Sequence, residues 1–189
     1  ALPIYTEPTR DPAILARWIG RRRSLADTVR LQPARFMEMT LDREPVLEEG
    51  AALPSLWHWL YFLETAPLSR LGRDGHPARG DFLPPVALPR RMWAGGRLAF
   101  HAPLSIGAEA GRVSTIADVT VKEGRTGPLC FVTVRHEIFS EGRPRITEEH
   151  DIVYREDPAP GAPRPEPPPV PEGLDRRETV TPSEVMLFR

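Results

Sequence analysis

An α+β domain, in which a curved antiparallel sheet wraps one apolar helix, is the fold class this sequence predicts. Two observations carry the prediction. Residues 53–64 (LPSLWHWLYFLE) are apolar on almost every side, with Pro54 suited to a first helical turn and Pro67 to a stop, and a helix of that kind has to be enclosed. From Arg91 onward the apolar period changes to two and turn signals recur at regular distances, which is the pattern of an antiparallel sheet able to enclose it.

Taken in order, residues 1–13 carry three prolines and no apolar period, so the sequence predicts a disordered lead-in with structure from Ile14. Residues 18–29 (WIGRRRSLADTV) read as a strand with Gly20 at a bulge, and Arg21, Arg22 and Arg23 as its solvated face. Residues 32–41 read as a short amphipathic helix, with Pro33 in its first turn and Phe36, Met37 and Leu41 on one side. Residues 68–89, rich in Gly, Pro and charge, read as a long surface loop of the kind that edges ligand sites.

Four strands follow. Residues 91–104 form the first, and 113–122 the second, where Val113, Thr115, Ala117, Val119 and Val121 share a face. A turn at 123–127 leads to 129–139, where Cys130, Val132, Val134 and Ile138 share a face, and a turn at 141–143 leads to 146–155. Residues 157–172 are half proline and read as the start of an extended linker, 157–179, that closes a domain at 14–156. Apolar character returns at 180–189, which reads as the start of a second unit.

Composition excludes several classes. The 26 acidic and 25 basic side chains nearly cancel, which gives no electrostatic footprint for nucleic acid. No apolar run approaches the ~20 residues that span a bilayer, and the arginines at 21–23 precede no signal-peptide core. The single cysteine, Cys130, offers neither a disulfide nor a thiolate metal cluster and reads as a core thiol in a cytoplasmic protein. No i, i+4 histidine pair marks a metal site, and the Gly107–Gly111 spacing lacks the Lys-Ser/Thr ending of a phosphate loop.

The five histidines are His58, His76, His101, His136 and His150. Strand alternation sends His136 away from Glu137 and His150 away from Asp151, so neither adjacent pair is an acid/base pair. His58, in the apolar segment, reads as a hydrogen-bonded buried histidine.

A strand, an enclosed helix and a long antiparallel run is the order of the hotdog fold. LPSLWHWLYF (53–62), FLPPVALPRRMWAGGRLAF (82–100), STIADVTVKEGRTGPLCFVTVRHEI (114–138) and TEEHDIVYRE (147–156) resemble the N-terminal hotdog half of MaoC-like acyl-CoA hydratases. The likeness is to mesaconyl- and itaconyl-CoA hydratases and to the hydroxyacyl-thioester dehydratase type 2 group. It covers residues 14–189, with the WAGG and KEGR segments its most specific parts.

The resemblance implies a double hotdog that hydrates or dehydrates a short branched or dicarboxylic acyl-CoA thioester. Coenzyme A enters only as part of the substrate, and no metal or redox cofactor is implied. In such proteins the N-terminal half has lost its catalytic segment, an Asp or Asn followed by His. The C-terminal half keeps it, directly after the equivalent of residues 186–189. No position here matches that segment, so no catalytic residue is assigned.

Trp57, Trp59, Leu60 and Trp93 are expected around an acyl cavity, with Gly95 and Gly96 admitting a ligand or a neighbouring backbone. A second hotdog unit is the expected partner, through self-association or a C-terminal half, along the edge of 113–122 or 129–139. Ile116, Phe131 and Phe139 are expected on the outer face there. Two alternatives are a stand-alone thioesterase using Glu64 and a non-catalytic acyl-CoA-binding module.

Overall fold

The computed structural model describes residues 7–125 and 127–159, with single positions at 161, 169 and 173. The unit they form closes at Asp157. Most of the expected linker at 157–179, and all of 180–189, lie outside the described residues.

Order begins before Ile14, against the expected lead-in. Thr9 bridges Val86 in parallel, and Asp11 Oδ1 accepts from the Ala13 N–H to cap the short helix α1, Pro12–Leu15. A 3-10 turn at Ala16–Trp18 follows, and Gly20, at φ +83°, turns the chain into strand β1, Arg22–Thr28. After helix α2, Leu31–Thr40, come strands β2, Arg90–Phe100, β3, Glu109–Gly124, β4, Gly127–Ser140, and β5, Arg143–Arg155.

The sheet is antiparallel throughout, in the order β1-β3-β4-β5-β2. The chain passes from one edge, β1, across to the other, β2, and then fills the middle with the meander β3-β4-β5. That is hotdog topology. β4 is therefore a central strand, and the expected edge pairing through 129–139 is corrected. Of 113–122, only the part past Ile116, whose N–H and C=O bond to Arg21 and Gly20, lies beyond the reach of β1 and the turn before it.

The inner face of β4 bears Cys130, Val132, Val134 and Ile138, as alternation predicts, and that of β5 bears Ile146, Ile152 and Tyr154. On β3 the expected face holds only for Val119 and Val121. A bulge between Ile116 and Asp118 inserts one extra residue and reverses the alternation, so before it Ser114 and Ile116 point inward. Ile116 is 0% exposed, not an outer-face residue. Phe131 does lie outside, beneath Lys122, whose ammonium stands 5.6 Å from its ring centre.

Two apolar clusters cover the inner face. One joins Leu15, Trp18, Val86 and Leu88 to Ile116, Val132, Ile152 and Tyr154. The other joins Val29, Ala34, Leu53, Tyr61 and Phe62 to Ile138 and Ile146. Val86 and Leu88 come from the segment expected as a surface loop; Arg79 donates to the carbonyls of both, satisfying backbone that burial would otherwise orphan.

The enclosed helix expected at 53–64 is reduced to one 3-10 turn, Trp57–Leu60. Leu56 at φ 73° and Phe62 at φ 56° interrupt any helix on both sides. Tertiary contacts hold these backbone angles: Phe62 N donates to Asp27 Oδ2 at 2.8 Å and Tyr61 Oη to the Arg30 carbonyl at 2.7 Å. Helix α2 exists as expected but buries a different side. Phe36 is 59% exposed, while Ala34 and Glu38 face inward, the Glu38 carboxylate accepting from the Val46 and Leu47 N–H groups.

Candidate functional site

Between the two apolar clusters the inner face carries a row of polar side chains. Register sets Ser114 opposite His136 and His136 opposite Glu148, so three neighbouring strands present serine, histidine and glutamate side by side. Arg112, two residues before Ser114, and His150, two after Glu148, extend the row on the same face. The Trp57–Leu60 turn supplies a further member: buried His58 places Nε2 3.2 Å from Glu148 Oε2. Trp59 Nε1 donates to both Glu148 oxygens, at 3.1 and 3.2 Å.

The charges in this row follow from its burial. Burial alone raises a carboxyl pKa, but the hydrogen bonds from His58 and Trp59, with His136 nearby, prevail and hold Glu148 below the usual range. His136 moves down to about 4, because burial and then the Arg112 cation outweigh the pull of Glu148. Burial lowers His150 as well, against Glu148 and Asp151. At neutral pH His136 is thus an uncharged ring, sharing a 2.7 Å hydrogen bond between its Nδ1 and the buried Ser114 hydroxyl. A ring of that pKa is a feeble proton acceptor at neutral pH and a good fixed hydrogen-bond partner.

Arg112 is sparsely paired for a group so covered. Its Nη2 donates to Glu64 Oε1 at a long 3.3 Å, its guanidinium carbon stands 5.5 Å from the Phe62 ring centre, and its Nε is buried without a hydrogen-bond partner. His58 Nδ1 is also buried and unpartnered. Such orphan atoms in a folded protein call for an explanation.

The residues expected at an acyl cavity scatter around this row. Trp59 reaches it through Glu148, while Trp57 and Leu60 pack against the second apolar cluster. Trp93 pairs in register with Ile152 and Gly96 with His150, which puts both on the inner side of β2, and the Trp93 ring lies over Gly96. Gly95, opposite Asp151, faces outward because a bulge follows Trp93. Two surface cavities, of about 610 and 440 Å³, are lined by none of these six residues.

Glu64 does not stand on a helix, and its carboxylate is held between Arg23 and Arg112, which is not the free carboxylate a thioesterase role requires. Cys130 is buried, its thiol pushed up to about 11 by desolvation and then Asp118. Among the described residues no group of three or more His, Cys, Asp or Glu side chains is placed to hold a metal ion, and no helix is long and apolar enough to cross a membrane.

Sequence reasoning missed the row itself. Its signal was present in part: Glu148 and His150 interrupt the apolar alternation from Ile146 to Tyr154, and His136 interrupts that from Cys130 to Ile138.

This sheet order and its inner face define a hotdog-fold protein. In agreement, the ChsH1-ChsH2 complex of Mycobacterium tuberculosis superposes with a TM-score of 0.53 at 15% identity, covering 72% of this chain and 88% of that one. A MaoC-like dehydratase from Rhodospirillum rubrum gives 0.49 at 17% identity, over 75% and 94%. In sequence, the chain is 48% identical over 180 residues to mesaconyl-C(4)-CoA hydratase of Chloroflexus aurantiacus, covering 91% of this chain and 62% of that protein. The family model for hydroxyacyl-thioester dehydratase type 2 matches residues 56–189, and the chain belongs to that family.

Proposed function

We propose that this chain is one hotdog half of a hydro-lyase, which adds water to, or removes it from, a short branched or dicarboxylic acyl-CoA thioester. The observation that carries the reading is the 48% identity to a hydratase along 91% of the chain. Coenzyme A enters as part of the substrate, no metal or redox cofactor takes part, and the reaction belongs to the cytoplasm. Hydration needs a proton donor and acceptor at the double bond and donors to the thioester oxygen as enolate charge develops. The Asp/His segment that meets those needs belongs to a second hotdog unit.

This half supplies a surface for the acyl group, with Trp59, Trp93 and Gly96 at its edge and Trp57 and Leu60 behind. The second unit docks along β2, an edge strand of 11 residues on which Trp93 is 69% exposed and Met92 and Phe100 are also uncovered. The test is hydration of mesaconyl-C(4)-CoA by the purified chain, alone and co-expressed with a catalytic hotdog unit of the same family. Activity is expected only in the pair. Robust turnover by the chain alone overturns the division of labour, and absence of turnover in both overturns the hydratase reading.

A further inference from the structure

A dicarboxylic acyl thioester keeps one free carboxylate at the far side of the double bond. An acyl surface of tryptophan, leucine and glycine has no charged group to receive it, and an unpaired carboxylate is costly to desolvate. Resting on the hydratase reading above, we propose that Arg112, with His136 beside it, forms the subsite for this distal carboxylate.

Three features support the assignment. Arg112 has donor capacity in reserve: its hydrogen bond to Glu64 is long, and its Nε–H is buried without an acceptor. The Nε and Nη edge of a guanidinium is the edge that takes a carboxylate through two parallel bonds. Arg112 is also pinned in place, by Glu64 on one side and Phe62 beneath, so little side-chain freedom is lost on binding.

His136 adds the second donor. In the tautomer whose Nδ1 accepts from the Ser114 hydroxyl, the ring hydrogen sits on Nε2, and the uncharged ring offers it without having to bind a proton. The two carboxylates already nearby do not occupy this position. Both oxygens of Glu148 are engaged by Trp59 and His58, and Glu64 divides its oxygens between Arg23 and Arg112. Together the row discriminates by charge: a neutral branch of the same size leaves Arg112 Nε as unpaired as it is now.

Calorimetric titration of the chain, alone and in the pair with a catalytic hotdog unit, compares mesaconyl-C(4)-CoA with 3-methylcrotonyl-CoA. The second thioester carries a methyl group where the first carries the carboxylate. Preference for the dicarboxylic thioester is expected to be on the order of tenfold or more, the yield of a charge-assisted pair. Arg112→Gln is expected to reduce that preference to about twofold, leaving 3-methylcrotonyl-CoA affinity as it was, with Arg112→Lys in between.

Glu64→Gln, which keeps the shape but removes the carboxylate charge that partly neutralises Arg112, is expected to raise the preference. It serves as an independent arm should Arg112→Gln fail to fold. An unchanged preference in Arg112→Gln, or in Glu64→Gln when that is the only soluble variant, overturns the subsite while the hydratase reading stands. Binding of neither thioester by the wild-type chain in either form overturns both.

Discussion

Acidification should destabilise the fold through His136, and the structure sets the scale. The ring faces Arg112, Ser114, Glu148, His150 and His58, and burial, then Arg112, bring it from 6.5 to about 4. A histidine whose folded pKa is depressed binds fewer protons in the native state than in the unfolded chain. Its stabilising contribution is complete above pH 6.5 and is lost as pH falls toward 4. At 1.36 kcal/mol per pH unit the ceiling is about 3 kcal/mol. The ring keeps some contact with solvent, so the realised loss lies below that ceiling. His150 acts in the same direction, and Glu148, held low, adds a further loss below the ordinary carboxylate range.

Thermal unfolding between pH 7 and 4 is the assay, with the wild-type chain compared to His136→Gln, whose amide can still pair with Ser114. At ~2–4 °C per kcal/mol for a chain of this size, the wild type should lose several degrees more than the variant over the interval. Equal pH slopes in the two proteins would refute the assignment of a buried neutral His136.

Two further outcomes follow from the packing. Because the β3 bulge turns Ile116 inward, while alternation along β4 leaves Phe131 outside, Ile116→Ala should cost roughly 2–4 kcal/mol and Phe131→Ala markedly less, measured by urea unfolding; the reverse order would mean that Ile116 faces outward. With its thiol pushed up to about 11, Cys130 should resist an aromatic disulfide reagent at pH 8 in the native state and react fully in denaturant, and free labelling of the folded chain would contradict its burial.

The sequence by itself determined the antiparallel half of this protein. Period-two alternation is a local property, and it placed β2 to β5 within a few residues and assigned the inner face of β4 correctly. It also carried the family, through segments such as WAGG and KEGR, and the burial of His58 and Cys130.

Tertiary structure decided the rest, for identifiable reasons. The apolar segment at 53–64 has the composition of a buried helix, yet Asp27, Arg30 and Glu148, distant in sequence, hold its backbone in a shape that ends helices. One extra residue in β3 reversed a face, which no period count can foresee when both alternating sets contain apolar side chains. The polar row exists only through register. Ser114, His136 and Glu148 are separated by a turn apiece along the chain, and cross-strand pairing alone sets them side by side between two apolar clusters, where burial decides their charge.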